Sequence, residues 1–174
     1  RYIPRRIYTI TPGGRFDPGM YKEIEQYIID SDYSTDVMMS DQFIEHVKPK
    51  FDVKRVKQLK LKLRDYQKDI VKECIDQGRG TVVLATAGGK TLTFATLLET
   101  LYSKNKNLKC ALIVPDLGLV EQTYNDFFEY GVSFKPTKWT GKSELDLSGN
   151  VIICNLGILQ SSNSDTSWLD HVDV

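Results

Sequence analysis

The spacing of hydrophobic positions changes along this chain and predicts three stretches of different character. In residues 1–50, Tyr2, Ile3, Ile7, Tyr8 and Ile10 predict one or two strands, broken by the turn Pro12-Gly13-Gly14. Asp17-Pro18 is a helix start, an N-cap followed by proline at the first helical position. Met20, Ile24, Tyr27 and Ile28 then recur at helical spacing, with Glu23, Glu25 and Gln26 opposite. A second short helix is predicted around 41–47, and Pro49 closes this small appendage. Residues 51–64 alternate, Leu59, Leu61 and Leu63 interleaving with Lys60, Lys62 and Arg64. That pattern is a half-buried strand or an extended linker with a basic outer side. A helix follows over 65–77, with Tyr66, Ile70 and Cys74 on one stripe, and it stops at Gly78.

From Thr81 short apolar runs alternate with amphipathic helices. The runs are 81–85, 110–114 and 151–154, and residues 172–174 look like a fourth beginning. Helices are predicted from Lys90, with Phe94, Leu97, Leu98 and Leu101 inward, and over 117–130, with a short helical or loop segment to Ser162. Such alternation predicts an α/β fold, a parallel sheet with crossover helices. The longest apolar runs are only a few residues, which excludes a membrane-spanning helix, and the basic start RYIPRRIYTI lacks the apolar region of a signal peptide. Residue 1 is Arg, so the sequence is expected to begin inside a longer protein.

Composition changes this picture little: 174 residues, 41% hydrophobic and 26% charged, suit a soluble globular protein of one domain plus an appendage. Charge changes it more. The net charge of zero hides blocks: four Arg against Asp17 in 1–20, seven acids against Lys22 in 21–47, and eight bases against Asp52 in 48–64. Such blocks suit a surface facing a polyanion, and equally a solvated face. Cys74, Cys110 and Cys154 are far apart among apolar neighbours, which predicts reduced buried thiols in a cytoplasmic protein. His46 and His171 stand alone, without the spacing of metal ligands.

The strongest local signal is TVVLATAGGKT, residues 81–91. A strand runs into the loop Thr86-Ala87-Gly88-Gly89, and Lys90-Thr91 opens a helix. Backbone N–H groups at such a start point at phosphate oxygens, and the helix dipole favours the anion. Lys90 would reach the β- and γ-phosphates of a nucleotide, and the Thr91 hydroxyl would bind Mg²⁺. The full motif wants glycine at position 84, where the chain has Leu84. Gln67 by itself reads as a surface glutamine on a helix.

Order adds more than any one motif. LRDYQ (63–67) precedes the loop; LIVPDLGLVEQ (112–122), TGK (140–142) and the segment around Asn155 follow it. This train resembles the first RecA-like lobe of superfamily 2 helicases and translocases over residues 59–162. Within that superfamily the likeness is nearest to phage recombination helicases of the UvsW type, which also tolerate leucine at the first loop position. Ala87, where glycine is usual, and Asn155, where threonine is usual, depart from the pattern. The resemblance implies that Gln67 reads adenine, that 86–91 bind ATP with Mg²⁺, and that Pro115, Asp116, Leu117, Gln122, Thr140, Gly141, Lys142 and Asn155 contact the phosphates of a nucleic-acid strand. Trp139 could stack a base, though a core tryptophan fits it better. Asp116 could instead be a metal-holding acid at a strand end, but Pro115 interrupts the run and no second acid follows; Asp173 is no better.

The expected architecture is therefore a partial RecA-like P-loop sheet with flanking helices (65–174), preceded by a small α/β appendage (1–50) and a basic segment (51–64). The resemblance implies a parent that is an ATP-dependent DNA helicase or translocase acting on branched or duplex DNA in the cytoplasm, RNA not excluded. Its DExH box would fall just after Val174, so the 174 residues alone are expected not to turn over ATP. A translocase subunit of a restriction-type system and a non-catalytic DNA-binding module are the alternatives.

Overall fold

A computed structural model describes residues 16, 20–31, 55–141, 144–161 and 164–174. The chain divides into two units, Arg1–Lys48 and Pro49–Val174. In the first, α1 (Tyr21–Asp30) forms as its apolar spacing predicts, with Met20, Ile24 and Ile28 half-buried. Tyr27, expected on that stripe, is 68% exposed. The predicted strands in 2–10, the Asp17-Pro18 start and the helix at 41–47 lie outside the described residues.

The second unit is built on three parallel strands, β1 (Cys110–Val114), β2 (Pro136–Trp139) and β3 (Val151–Asn155), in the order β1-β3-β2. Around them lie α2 (Asp65–Gln77), α3 (Lys90–Lys104), α4 (Leu117–Tyr130), the single turn α5 (Leu156–Leu159) and a 3-10 turn at Ser167–His171. The central strand reads V-I-I-C-N and is buried along its first four residues, as a strand covered on both faces must be. Val151 and Ile153 join the main core with Val71, Leu98, Leu108, Val120 and Phe127. Ile152 and Cys154 face the other way, into a smaller cluster with Trp139 and Trp168. The two indoles meet edge to face at 6.1 Å, so Trp139 is a core residue.

Several expectations are corrected. The run 81–85 forms no strand, and Val83 is 89% exposed. Both edges of β1 are taken, one by β3 and the other by the 172–174 segment, where the Ala111 N–H donates to the Val174 carbonyl (2.9 Å) and the Asp173 N–H to the Lys109 carbonyl (2.7 Å). Residues 56–64 form no strand, and bends at Lys60 and Leu61 break the period of two. Leu59 and Leu63 are therefore buried while Leu61 is exposed. β2 is an addition to the expected strands, although Thr137 and Trp139 are good strand formers and a proline is tolerated at a strand's first position.

Helix faces also turn out rotated. On α2 the buried stripe is Gln67, Val71 and Ile75, one position along from the expected Tyr66, Ile70 and Cys74. On α3 Leu98 and Leu101 are inward as expected, but Phe94 and Leu97 are only half-buried. Three threonines take the space. The Thr93, Thr96 and Thr100 hydroxyls donate to the carbonyls of Gly89, Leu92 and Thr96, so each polar side chain enters the core satisfied. Glu99 is likewise buried and accepts from the Ser133 N–H at 2.8 Å and from its hydroxyl, fixing the loop between α4 and β2.

Helix ends follow ordinary capping. α2 stops at Gly78 and α4 at Gly131, both left-handed. The Asp116 carboxylate accepts from the Leu119 N–H at 2.9 Å and caps α4, which explains an acid at this strand end without a metal. The Asp173 carboxylate accepts from the Lys109 N–H (3.0 Å), tying the 172–174 segment to the start of β1.

All three cysteines are free thiols, as their apolar neighbours predict. Burial pushes the Cys110 thiol up to about 12, aided by Asp173, and burial pushes Cys154 up to about 11. Since the thiolate is the reactive form, neither should alkylate in the native chain near neutral pH. Counting labelled thiols by mass before and after denaturation tests this: two should become reactive only on unfolding.

Candidate functional site

The loop 85–90 and the first turn of α2 form one hydrogen-bonded unit. Gln67 is 3% exposed, and its amide is used at both ends. Oε1 accepts the Arg64 N–H at 2.9 Å, at the start of α2, and Nε2 donates to the Gly88 and Gly89 carbonyls, each at 3.3 Å. The Tyr66 hydroxyl donates to the same Gly88 carbonyl at 3.1 Å. By pattern alone Gln67 has the place of a surface glutamine; in the structure it is a buried polar tie between helix and loop. Its third position in the helix is that of a capping-box glutamine, but Arg64 supplies no Ser or Thr N-cap to reveal it.

The loop closes by a turn in which the Gly88 N–H donates to the Ala85 carbonyl at 3.0 Å. Ala87, at a position where glycine is the common residue by resemblance, holds φ 61, so an ordinary side chain occupies the left-handed region. Gly89 has φ 74 and directly precedes α3, and a Cβ there would stand 2.4 Å from the Gln67 amide nitrogen. Glycine is required at that point by both conformation and space. Lys90 is exposed, with its ammonium donating to the Ala85 carbonyl at 2.9 Å, so its side chain folds back over the loop. Thr91 is half-buried in the first turn of α3. The arrangement offers what an oligophosphate needs: a helix start, a glycine turn held from behind, and a cation on a long side chain. The donor set fits a magnesium nucleotide only in part. Among the described residues no group of three His, Cys, Asp or Glu could hold a metal, so Thr91 and the phosphates themselves would supply the ligands.

The other predicted residues gather at the carboxyl ends of the strands. Leu117, Thr140, Gly141 and Asn155 line one open cleft of about 590 Å³, together with Glu144 and Asp165. They come from the segments after β1 and β2 and from the end of β3 onward, which parallel strands bring to one end of the sheet. Gly141 has φ 77 and lies against Ile158, where an added Cβ would stand 2.7 Å from Cδ1. Pro115, Asp116 and Gln122 are exposed but do not line the cleft, and Lys142 lies outside the described residues. Glu144 and Asp165 carry no signal in the sequence that marks them for this site. Ser167 holds the Asp165 carboxyl below its ordinary range by backbone and side-chain hydrogen bonds, so this rim carries negative charge.

A glycine loop at a helix start, a parallel sheet with flanking helices and polar groups at the strand ends define a RecA-like lobe. A family model described as "Type III restriction enzyme, res subunit" matches residues 60–172, well over half of the chain. The chain belongs to that family. Its fold is similar to two solved structures from bacteriophage T4. One is the crystal structure of the UvsW helicase, with TM-score 0.64 at 20% identity over 89% of this chain and 60% of that one. The other is a further crystal structure of T4 UvsW, with TM-score 0.68 at 21% identity over 88% of this chain and 33% of that one. This chain thus spans less than two thirds of the length of either. No curated protein sequence matches it. The resemblance to superfamily 2 and to UvsW-type proteins, and the α/β RecA-like fold, are borne out.

The loop's geometry makes Gly89→Ala severe. Positive φ alone costs a non-glycine residue about 1–2 kcal/mol, and the Cβ would displace the Gln67 amide. The substitution should weaken binding of an adenine nucleotide at least tenfold in a titration, while Gly80→Ala, at a glycine whose added Cβ meets nothing within 4 Å, should change it little.

Proposed function

We propose that this chain is the nucleotide-binding lobe of an ATP-dependent DNA helicase or translocase. The observation that carries the reading is the loop 85–90 held from behind by Tyr66 and Gln67, with Lys90 and Thr91 opening α3 in front. Lys90 exchanges the Ala85 carbonyl for β- and γ-phosphate oxygens, a stronger charge-assisted contact. Thr91 would hold Mg²⁺, which when bound would neutralise charge on the phosphates. Gln67 reads adenine, for which it must release one of its present partners, so base recognition and loop conformation are linked through one side chain. Pro115, Asp116, Leu117, Gln122, Thr140, Gly141, Lys142 and Asn155 form the nucleic-acid side. Asp116 contributes there through its backbone, since its carboxylate is engaged as a cap.

The family match also suits the translocase subunit of a restriction-type system, which would share this lobe. Both readings need hydrolysis; a non-catalytic DNA-binding module does not. In the full-length protein Lys90→Ala should abolish ATP hydrolysis, with the circular dichroism spectrum unchanged because the side chain is exposed. Normal turnover in that variant would sink the motor reading.

The basic segment generates a separate test. Arg55, Lys57, Lys62 and Arg64 are exposed, and a duplex bound there would release counterions. Neutralising Lys57 and Lys62 together should lower DNA affinity about equally for all sequences. It should also flatten the dependence of log K on log salt by up to roughly 0.9 for each phosphate left without its lysine. An unchanged slope would make this segment a solvated face only.

A further inference from the structure

Two side chains of α2 hold the Gly88 carbonyl, those of Gln67 and Tyr66. The Tyr66 hydroxyl is the other donor, at 3.1 Å, and its oxygen in turn accepts from Arg64 Nη1 at 3.3 Å. A hydroxyl has one hydrogen to give, and with Arg64 donating to its oxygen that hydrogen is directed at Gly88. The Tyr66 ring is 39% exposed, so it is no major part of the core.

What this contact controls follows from peptide geometry. In a planar trans peptide the carbonyl and the next N–H point in opposite directions. Holding the Gly88 oxygen toward α2 therefore turns the Gly89 N–H away from α2. The next plane is set by α3 itself: the Gly89 carbonyl accepts the Thr93 N–H and hydroxyl at 3.0 Å each, as well as the Gln67 amide. The Gly89 and Lys90 N–H groups belong to the start of α3, where a helix offers its first donors no internal acceptor and where an anion is favoured. The Gly88–Gly89 plane has no such helical bond, and glycine on both sides leaves it otherwise free to turn. An external pin is what makes the cradle one shape rather than several.

We propose that Tyr66 is a positioning residue for the phosphate cradle: its hydroxyl sets the Gly88–Gly89 peptide plane so that the Gly89 N–H faces the oligophosphate. The inference rests on the nucleotide reading above and deepens it. Gln67 would serve the base as well as the loop, and when its amide turns to a base the Gly88 carbonyl loses one donor. Tyr66 keeps that plane in place during the exchange. Its contribution is thus to phosphate binding, indifferent to the base.

The test is a titration of the 174-residue chain, wild type and Tyr66→Phe, with Mg²⁺ and each of ATP, GTP and inorganic tripolyphosphate. Loss of one neutral hydrogen bond should weaken all three by the same factor, roughly 2- to 12-fold. A merely structural role for the ring would lower the melting temperature or do nothing, and would leave the three affinities unchanged where both proteins are folded. Equal affinities in wild type and Tyr66→Phe overturn the assignment. So does a loss confined to ATP, which would put Tyr66 at the base. If the wild-type chain binds none of the three, the nucleotide reading itself fails and takes this inference with it, a result distinct from failure of Tyr66 alone.

Discussion

Residues 49–174 are organised by β3, the strand with neither a free edge nor a free face. β1 and β2 bond to its two sides in parallel, and Val151 to Cys154 are at most 2% exposed. A parallel neighbour cannot be reached by a tight turn and needs a crossover, so α4 carries the chain from β1 to β2. Its Val120 and Phe127 are fully buried and pack with Val151 and Ile153 in the main core. The same parallelism sends all three strands out at one end, where Leu117, Thr140 and Asn155 meet around the cleft. The cleft is thus a consequence of the sheet's direction, and its polar lining is what these segments happen to carry there. Removing a methyl from β3 would be felt on one or other face at once, because close-packed interiors do not absorb a missing methylene.

A second constraint sits at the edge of this core and is polar. An amide moved out of water costs about 1–3 kcal/mol unless it is hydrogen-bonded. Gln67 avoids that cost only by bonding at once to the start of its own helix and to two carbonyls of the loop. An apolar residue there would pack but would release the glycine turn. A charged one would be buried without a partner. The position therefore couples α2 to the loop in a way that burial alone would not, which gives a physical reason for a glutamine among Val71 and Ile75 on the inward stripe.

Much of this is legible in the amino-acid pattern. The helix over 65–77 with its Gly78 stop, β1, and the helix over 117–130 all stand where periodicity and capping residues put them, because each is decided locally by apolar spacing and an end signal. What fails depends on distant partners. Residues 81–85 read as a strand from composition, yet strand pairing is settled by partners distant in sequence, and here the run pairs with none. Leu61 fits a period of two that bends at 60–61 interrupt. Phe94 is the better core residue by hydrophobicity, but the Thr93 hydroxyl finds a carbonyl one turn back and takes the inward place. At the site, the loop is legible because glycines, lysine and threonine at a helix start have few other uses. Gln67 as a buried tie is not, since nothing in a single glutamine says whether it faces water. Glu144 and Asp165 escape a reading of the pattern because cleft lining follows from tertiary placement.

The position of the basic segment bears on how a nucleic acid would lie. Lys60 crosses the end of α4: its N–H donates to the Tyr130 carbonyl at 3.0 Å, and its aliphatic stem covers Gly131 so closely that an added Cβ would meet Cε at 2.7 Å. The ammonium thereby sits near the helix's carbonyl end, where positive charge is favoured. The strand-end cleft begins at Leu117, the opposite end of the same helix. A helix of 14 residues is about 21 Å long at 1.5 Å per residue. A nucleic-acid strand advances about 3.4 Å per phosphate, so roughly six nucleotides separate the two regions. On the helicase reading, Lys60 and the polar groups at 140 and 155 would therefore meet different stretches of the substrate. Contacts at the basic segment would be diffuse and salt-sensitive, holding a duplex without orienting it.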